Sequence, residues 1–175
     1  MVKNHDCKCI SIDLPEGNVL QSYYLASNFL TNGKKIIQYS DLDGNNLSEK
    51  QLYDNDIFIL PPWVNYPDSF SFDFVMNSRS MMEMNIDTVF KYFTFIHKHI
   101  NSDGYFLNIN RYSKSSDFFD YPYDCNWDVL LSEKSYKQPS IHFLLTKRIF
   151  NGWENNILDE MSCIYETVSG TEYYK

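Results

Sequence analysis

The sequence lacks the features that mark membrane, secreted and nucleic-acid-binding proteins. No apolar run approaches the roughly 18 to 20 residues that a membrane-spanning helix needs, and residues 1–6 lack the apolar region of a signal peptide. Clusters of Lys and Arg are absent and the net charge is -8. This charge argues against a nucleic-acid partner, because a phosphate backbone is bound by basic clusters. We therefore expect a soluble, cytoplasmic protein that binds neither membrane nor nucleic acid.

Cysteine is also scarce, and its spacing fits no disulfide framework. Cys7-Lys8-Cys9 lies close to His5, but a Cys-x-Cys pair leading into a strand is weak evidence for metal. We predict no metal site and reduced thiols at all four cysteines, which are Cys7, Cys9, Cys125 and Cys163.

What the sequence does contain is enough apolar material for one folded domain. Of its 175 residues, 43% are hydrophobic and 17% aromatic, which argues against disorder. We find no internal repeat and no low-complexity segment. We therefore expect residues 1–175 to form a single domain.

The central stretch, residues 72–110, has the pattern strand, polar turn, helix, strand. Residues 72–77 are a short apolar run and residues 105–110 are another, as is typical of buried parallel strands. Between them Asn85 is placed to cap a helix and Gly104 to end it. Parallel strands carry functional groups at their carboxyl ends. The face of the helix that is predicted to lie in the core consists of Ile86, Val89, Phe90, Phe93, Ile96 and Ile100. The side chains predicted to lie together along the rim at the carboxyl ends of the strands are Asn77, Ser80, Glu83, Asn110 and Arg111.

The flanking segments predict further alternation of strands and helices. Residues 9–13, 35–39 and 57–60 are expected strands, and residues 18–30 an expected helix whose core face includes Val19, Leu20 and Tyr23. A short helix fits residues 47–53. Residues 127–133 and 142–149 predict an antiparallel hairpin that closes the sheet, and residues 155–166 a last helix. We expect a doubly wound α/β domain.

Three segments, taken together, resemble the putative sugar O-methyltransferases among the class I S-adenosylmethionine-dependent methyltransferases. The first, residues 10–25, is similar to that family's second strand and following helix. Residues 58–63 are similar to its third strand and the turn after it. The most specific segment runs from residue 72 to 84 and continues to Arg111, with the motif Asn77-Ser78-Arg79-Ser80-Met81-Met82-Glu83-Met84.

The resemblance implies a Rossmann-like sheet that is incomplete at its N-terminus. The family opens with a strand and a glycine-rich turn, G-x-G-x-G, that receives the cofactor. The six glycines here are dispersed, at 17, 33, 44, 104, 152 and 170, so that loop is missing. In the family the first strand lies between the second and the fourth. We expect a truncated domain with two open strand edges, completed by an N-terminal polypeptide or covered in a homodimer.

The resemblance also implies site residues for S-adenosylmethionine and for a sugar or glycan acceptor. Asp13 would bind the ribose hydroxyls, with Leu14 beside it, Trp63 near the adenine and Asn77 at the facing strand end. Glu83 would be the base or orient the sugar, with Asn77 and Ser80 as positioning groups. A purely structural role stays open as the alternative for three of these residues. Asp13 could be a turn residue at the strand end, and Trp63 could be a packed aromatic. Glu83 could be a first-turn carboxylate near the N-terminus of the next helix.

Other polar and aromatic groups favour structural interpretations. His97 and His99 are expected to act on a helix dipole, and Met81, Met82 and Met84 to pack. A loop rich in aromatic residues is expected between residues 112 and 127, and we call it the aromatic loop. It is expected to cover the core, in preference to stacking on sugar rings. Its aromatic residues are Tyr112, Phe118, Phe119, Tyr121, Tyr123 and Trp127. Two alternative functions are an inactive fragment or protein-interaction module, and a Rossmann-type oxidoreductase.

Overall fold

The computed structural model of the chain describes residues 7–29 and 33–149. They fall in two compact units, Met1–Phe70 and Ser71–Lys175. The predicted helix at 155–166 lies outside the described residues, and the single domain stays a prediction. No helix in the described part of the chain is long and apolar enough to cross a membrane.

The first unit is built on a three-stranded parallel sheet. Its elements are β1 (Cys9–Ile12), α1 (Pro15–Phe29), β2 (Ile36–Gln38), α2 (Glu49–Asp54) and β3 (Ile57–Leu60). The order is β1-β3-β2, and β3 pairs in parallel with both neighbours. All four residues of β3 are buried, as expected for a central parallel strand. Phe58 and Leu60 pack there with Ile37, Leu47 and Val64.

The prediction for α1 is wrong in its orientation. The helix begins at Pro15, so Asn18 lies within it and does not cap it. The face expected in the core is exposed, with 68% of Val19, 74% of Leu20 and 79% of Tyr23 accessible. The reason is a set of hydrogen bonds. The side chains of Asn18 and Gln21 both donate to Asp13, and these bonds turn the polar side of α1 toward the sheet.

The second unit is built on a mixed four-stranded sheet. Its elements are β4 (Phe72–Ser78), α3 (Ile86–His99), β5 (Ile100–Arg111), β6 (Trp127–Lys134) and β7 (Ile141–Arg148). The order is β4-β5-β7-β6. β4 and β5 are parallel, and β7 is antiparallel to both β5 and β6. The strand–helix–strand unit and the closing hairpin are thereby confirmed.

Helix α3 follows its predicted boundaries closely but not its predicted face. Asn85 caps it, accepting from the Thr88 N–H over 2.9 Å. Phe90 is 48% exposed, so its place on the core face is wrong, because the buried stripe of α3 runs through Val89, Phe93 and Ile96. Gly104 does not end the helix, which stops at His99. It lies inside β5, where a Cβ would come within 2.7 Å of the Ile100 side chain.

The core of the second unit lies between α3 and one face of the sheet. Phe93 of α3 meets Phe106 of β5 edge to face, with ring centroids 5.7 Å apart. The aromatic loop closes this core: Tyr112, Phe118, Tyr121, Tyr123 and Trp127 are all buried. Core cover is therefore confirmed as the role of these five rings, and Met81 and Met82 are buried as expected.

The α/β class is confirmed, but the strands form two open sheets instead of one continuous sheet. Among the described residues no strand joins β1 to β4. β1 pairs only with β3, and β4 pairs only with β5. In the described part of the chain β1 and β4 are thus edge strands of their sheets, as are β2 and β6.

Candidate functional site

Asp13 organises the carboxyl end of β1. Its Oδ1 accepts from the Leu14 N–H over 2.8 Å and its Oδ2 accepts from Gln21 Nε2 over 2.9 Å. Gly17 makes room for this carboxylate, since a Cβ at that position would lie 2.6 Å from Asp13 Cγ. Asp13 is thus a turn residue, as one interpretation held. Each of its oxygens keeps a further lone pair for a ligand hydroxyl.

Gln21, Gly17 and Asn18 complete this site and were missed from the sequence. Gln21 Oε1 also bonds the Ser11 hydroxyl, so both ends of its amide are fixed. Asn18 Oδ1 is buried and has no hydrogen-bond partner among the described residues. The sequence did contain a signal for these residues. Gly17, Asn18 and Gln21 are small or polar residues that interrupt the apolar pattern of α1 shortly after Asp13.

Trp63 and Leu14 lie at the same edge of the sheet as Asp13. The register pairs Ile12 with Leu60, so the chain leaves β1 and β3 side by side. Trp63 is 46% exposed and Leu14 60% exposed. Tyr39, just after β2, meets the Trp63 ring edge to face with centroids 6.1 Å apart. The edge therefore presents one carboxylate and a half-exposed aromatic wall.

Asn77, predicted for both cofactor and acceptor, belongs to the second unit and anchors the turn after β4. Its Oδ1 accepts from the Met81 N–H over 3.2 Å and from Asn110 Nδ2 over 2.9 Å. Asn110 Oδ1 accepts from the Met82 N–H over 3.1 Å. The chain of amides continues through Asn108 to the Tyr123 hydroxyl. The carboxyl ends of β4 and β5 are thus locked together, as the rim prediction required.

Ser80 and Glu83 project from this locked turn. Ser80 is exposed and precedes a short 3-10 helix, Met81–Glu83. Glu83 is the acidic residue in the first turn of that 3-10 helix and precedes α3, so its interpretation as a carboxylate near a helix N-terminus is not contradicted. Its carboxylate forms an ion pair with Lys114, and both side chains are partly exposed, at 49% and 41%. Ser80 and Glu83 therefore stand on the rim, open to solvent.

Two arginines flank the same turn. Arg79 has a φ of 62°, a left-handed conformation that few non-glycine residues adopt, and its N–H donates to the Ile109 carbonyl over 2.7 Å. Its guanidinium bonds the Gln138 side chain of the hairpin turn. Arg111 is exposed at the end of β5. The rim thus combines hydroxyl, carboxylate and guanidinium groups.

The histidines of the second unit serve the core. Trp127 Nε1 donates to His97 Nε2 over 3.1 Å, and burial lowers the pKa of His97, which disfavours the cation that the helix-dipole prediction requires. His142 lies between the hydroxyls of Tyr112 and Ser132. Burial lowers the pKa of His142 to about 4. Both rings are hydrogen-bonded packing groups.

Two concave surfaces lie elsewhere. One of about 390 Å³ is lined by hairpin residues such as Leu131, Tyr136 and Phe143, and one of about 550 Å³ by residues of the first unit between Asp43 and Asn55. Neither is lined by a predicted site residue. The described residues contain no group of three or more His, Cys, Asp or Glu arranged around a common point.

Comparison of the sequence with protein-family models and with curated proteins finds no match. Asp13 and Trp63 fit the nucleoside part of a cofactor, because a carboxylate binds vicinal hydroxyls and an aromatic face binds a base. Asn18 bonds the Asp13 carbonyl, and its Oδ1, which has no partner among the described residues, fits an additional donor there. The glycine-rich turn that would hold the rest of such a cofactor has no counterpart in the sequence.

Proposed function

We propose that the chain is the larger part of an S-adenosylmethionine-dependent methyltransferase that acts on a sugar hydroxyl. In this proposal a further segment supplies the first strand and the glycine-rich turn. The observation that carries it is the position of Asp13 and half-exposed Trp63 at the carboxyl ends of adjacent parallel strands. Open α/β sheets bind nucleotides at such ends.

The rim of the second unit supplies what the acceptor needs. S-adenosylmethionine carries an electrophilic methyl group on a sulfonium. The acceptor hydroxyl must be aligned with that group and must lose its proton. Asn77 accepts hydrogen bonds from two neighbours, Met81 and Asn110, and can position the turn. Ser80 offers a hydroxyl for alignment, and Glu83 is the carboxylate that accepts the proton once its ion pair with Lys114 opens.

Calorimetry with S-adenosylhomocysteine tests the proposal. The full chain should bind it with measurable affinity only after the polypeptide encoded directly upstream has been added, and Asp13→Ala should abolish that binding. Glu133→Ala, which removes an exposed carboxylate from β6, is the matched control and should leave binding unchanged. Absence of binding in both the chain and the mixture would overturn the proposal.

A second candidate function is a protein-interaction module without catalysis. The observation in its favour is the outer side of α1, where Val19, Leu20, Tyr23 and Tyr24 are each at least 65% exposed. Contiguous apolar side chains of this size on a surface helix mark binding surfaces. Size-exclusion chromatography with light scattering distinguishes the two functions when it is combined with the calorimetry, since a module forms complexes without binding S-adenosylhomocysteine.

A further inference from the structure

Three cationic residues lie at the carboxyl ends of β4 and β5. Arg79 directly follows β4, Arg111 is the last residue of β5, and Lys137 lies in the turn between β6 and β7. The turn reaches this end of the sheet because Ile141, the first residue of β7, pairs with Arg111. All three residues are exposed. We call Arg79, Arg111 and Lys137 the cationic cluster.

The cationic cluster has no carboxylate partner within the described residues. The ion pairs found there use other cations, which are Lys34, Lys114, Lys147 and Arg148. Glu133 of β6 pairs in register with Phe143, further from this end of the sheet than Ile141. Unneutralised positive charge is therefore concentrated at one end of the sheet, in a chain whose net charge is -8. Such a local field attracts anions.

Arg79 is held in place by hydrogen bonds of its backbone and of its side chain. Its φ of 62° is unfavourable for a residue with a Cβ, and its N–H donates to the Ile109 carbonyl over 2.7 Å. Its guanidinium donates to the side-chain oxygen of Gln138. Gln138 is fixed in turn, since its N–H donates to Ser135 Oγ over 3.3 Å and its carbonyl accepts from the Ile141 N–H over 2.8 Å. A guanidinium fixed in this way keeps further donors that fit the paired oxygens of a carboxylate or phosphate.

We propose that the acceptor sugar carries an anionic group, a carboxylate or a phosphate, and that the cationic cluster binds this group. The inference rests on the proposed function and names the class of its acceptor. Arg79 directly precedes Ser80, so an anion bound to Arg79 places the rest of the sugar beside the Ser80 hydroxyl. The Glu83 carboxylate does not repel the incoming anion while it is paired with Lys114.

Charge also limits the size of the ligand. A nucleic acid or a long acidic polysaccharide would extend past the cationic cluster, over a chain whose net charge is -8, and tight binding of such polyanions needs many phosphate contacts. A monosaccharide or a short glycan with one acidic group places its charge within the cluster alone. The ligand is therefore a small anionic sugar.

An NMR titration of the full chain measures this preference without any cofactor. The probes are methyl glucuronide, a methyl glucoside phosphate, the neutral methyl glucoside and inorganic phosphate. We expect the charged sugars to bind at least about tenfold more tightly than the neutral one at about 20 mM salt. The preference should shrink at about 200 mM salt, because salt screens exposed charges. The tighter of the charged sugars identifies the acidic group as carboxylate or phosphate.

Variants of the cluster locate the binding. Arg79→Asn should abolish the preference and keep the fold, because asparagine tolerates a positive φ. Arg111→Gln changes a residue with ordinary strand geometry and should reduce the preference severalfold. Lys91→Gln removes an equal charge from an exposed position on α3, so it is the matched control and should leave the preference unchanged.

Equal affinity for charged and neutral sugars would overturn the inference, as would a preference that persists in both arginine variants. Inorganic phosphate that binds as tightly as the charged sugars would mark an adventitious ion only, with the same consequence. Failure of the inference is distinguishable from failure of the proposed function. Charged sugars that bind the chain, when S-adenosylhomocysteine binds neither the chain nor its mixture with the upstream polypeptide, would support the site and overturn the enzyme. Methyl transfer at equal rates to charged and neutral sugars would do the reverse.

Discussion

Asn110 Nδ2 donates to Asn77 Oδ1 over 2.9 Å and so ties the end of β5 to the end of β4. Asn110 is fully buried and also accepts from the Met82 N–H. Asn110→Ala removes the partners of the Met82 N–H and of Asn108 Oδ1 in the interior. We expect it to lower the free energy of unfolding by about 2 to 4 kcal/mol, since each orphaned buried group costs about 1 to 3 kcal/mol.

Urea denaturation of both proteins measures this difference. Asn101→Ala is the matched control, because Asn101 lies on the same strand and its side chain bonds an exposed partner, Asp73, over 2.7 Å. It should cost less than about 1 kcal/mol. Equal costs for the two variants would contradict a locking role for Asn110.

His142 makes the stability of the chain depend on pH. Burial lowers its pKa from 6.5 to about 4 in the folded protein, so the unfolded chain takes up the proton first as the pH falls. The contribution of His142 is therefore fully present above about pH 6.5 and is lost as the pH approaches 4, by up to about 3 kcal/mol. His97, whose pKa burial also lowers, acts with the same sign.

Denaturation curves from pH 7.5 to 4.5 for the parent and for His142→Gln measure this dependence. The variant should be less stable at pH 7.5 because it loses the fit between Tyr112 and Ser132. Its stability should fall less steeply on acidification. Parallel pH profiles would show that folding does not shift the pKa of His142.

Much of the fold was predictable because its elements are locally specified. The apolar run of β3 was placed correctly at residues 57–60, and the cap of α3 at Asn85, since both depend on neighbouring residues. The orientation of α1 was not predictable from periodicity. Its apolar side chains form a helical stripe, yet the bonds from Asn18 and Gln21 to Asp13 turn that stripe outward. A tertiary polar contact overrides the pattern in this case.

The candidate site was predictable in its positions but not in its partners. Asp13, Trp63, Asn77 and Glu83 all lie at or just after strand ends, which sequence spacing reveals. The ion pair of Glu83 with Lys114, and the amide chain that passes through Asn108 and Asn110, join residues about 30 positions apart. Such pairings depend on strand register, and register is not encoded in any single segment.

Glu83 should matter for catalysis and little for stability. Its ion pair with Lys114 is exposed, and exposed pairs contribute about 0 to 1 kcal/mol. In the completed protein, Glu83→Gln should reduce methyl transfer by at least about 100-fold, the usual effect of losing a general base. The free energy of unfolding should change by less than about 1 kcal/mol.

A radiolabelled methyl-transfer assay together with thermal denaturation measures both effects. Glu133→Gln, an exposed carboxylate on β6, is the control and should leave the rate unchanged. If Glu83→Gln retains full activity, Glu83 serves only as the partner of Lys114.

Gly17→Ala separates the ligand role of Asp13 from its role in the turn. The added Cβ would come within 2.6 Å of Asp13 Cγ, so the carboxylate must move, while alanine stabilises a helix by up to about 1 kcal/mol relative to glycine. We expect the completed protein to bind S-adenosylhomocysteine at least tenfold more weakly, with little change in melting temperature. Ser27→Ala, on the same helix, should leave binding unchanged. Unaltered binding by Gly17→Ala would mean that the position of the Asp13 carboxylate does not determine affinity, and the ribose contact would have to be assigned to another residue.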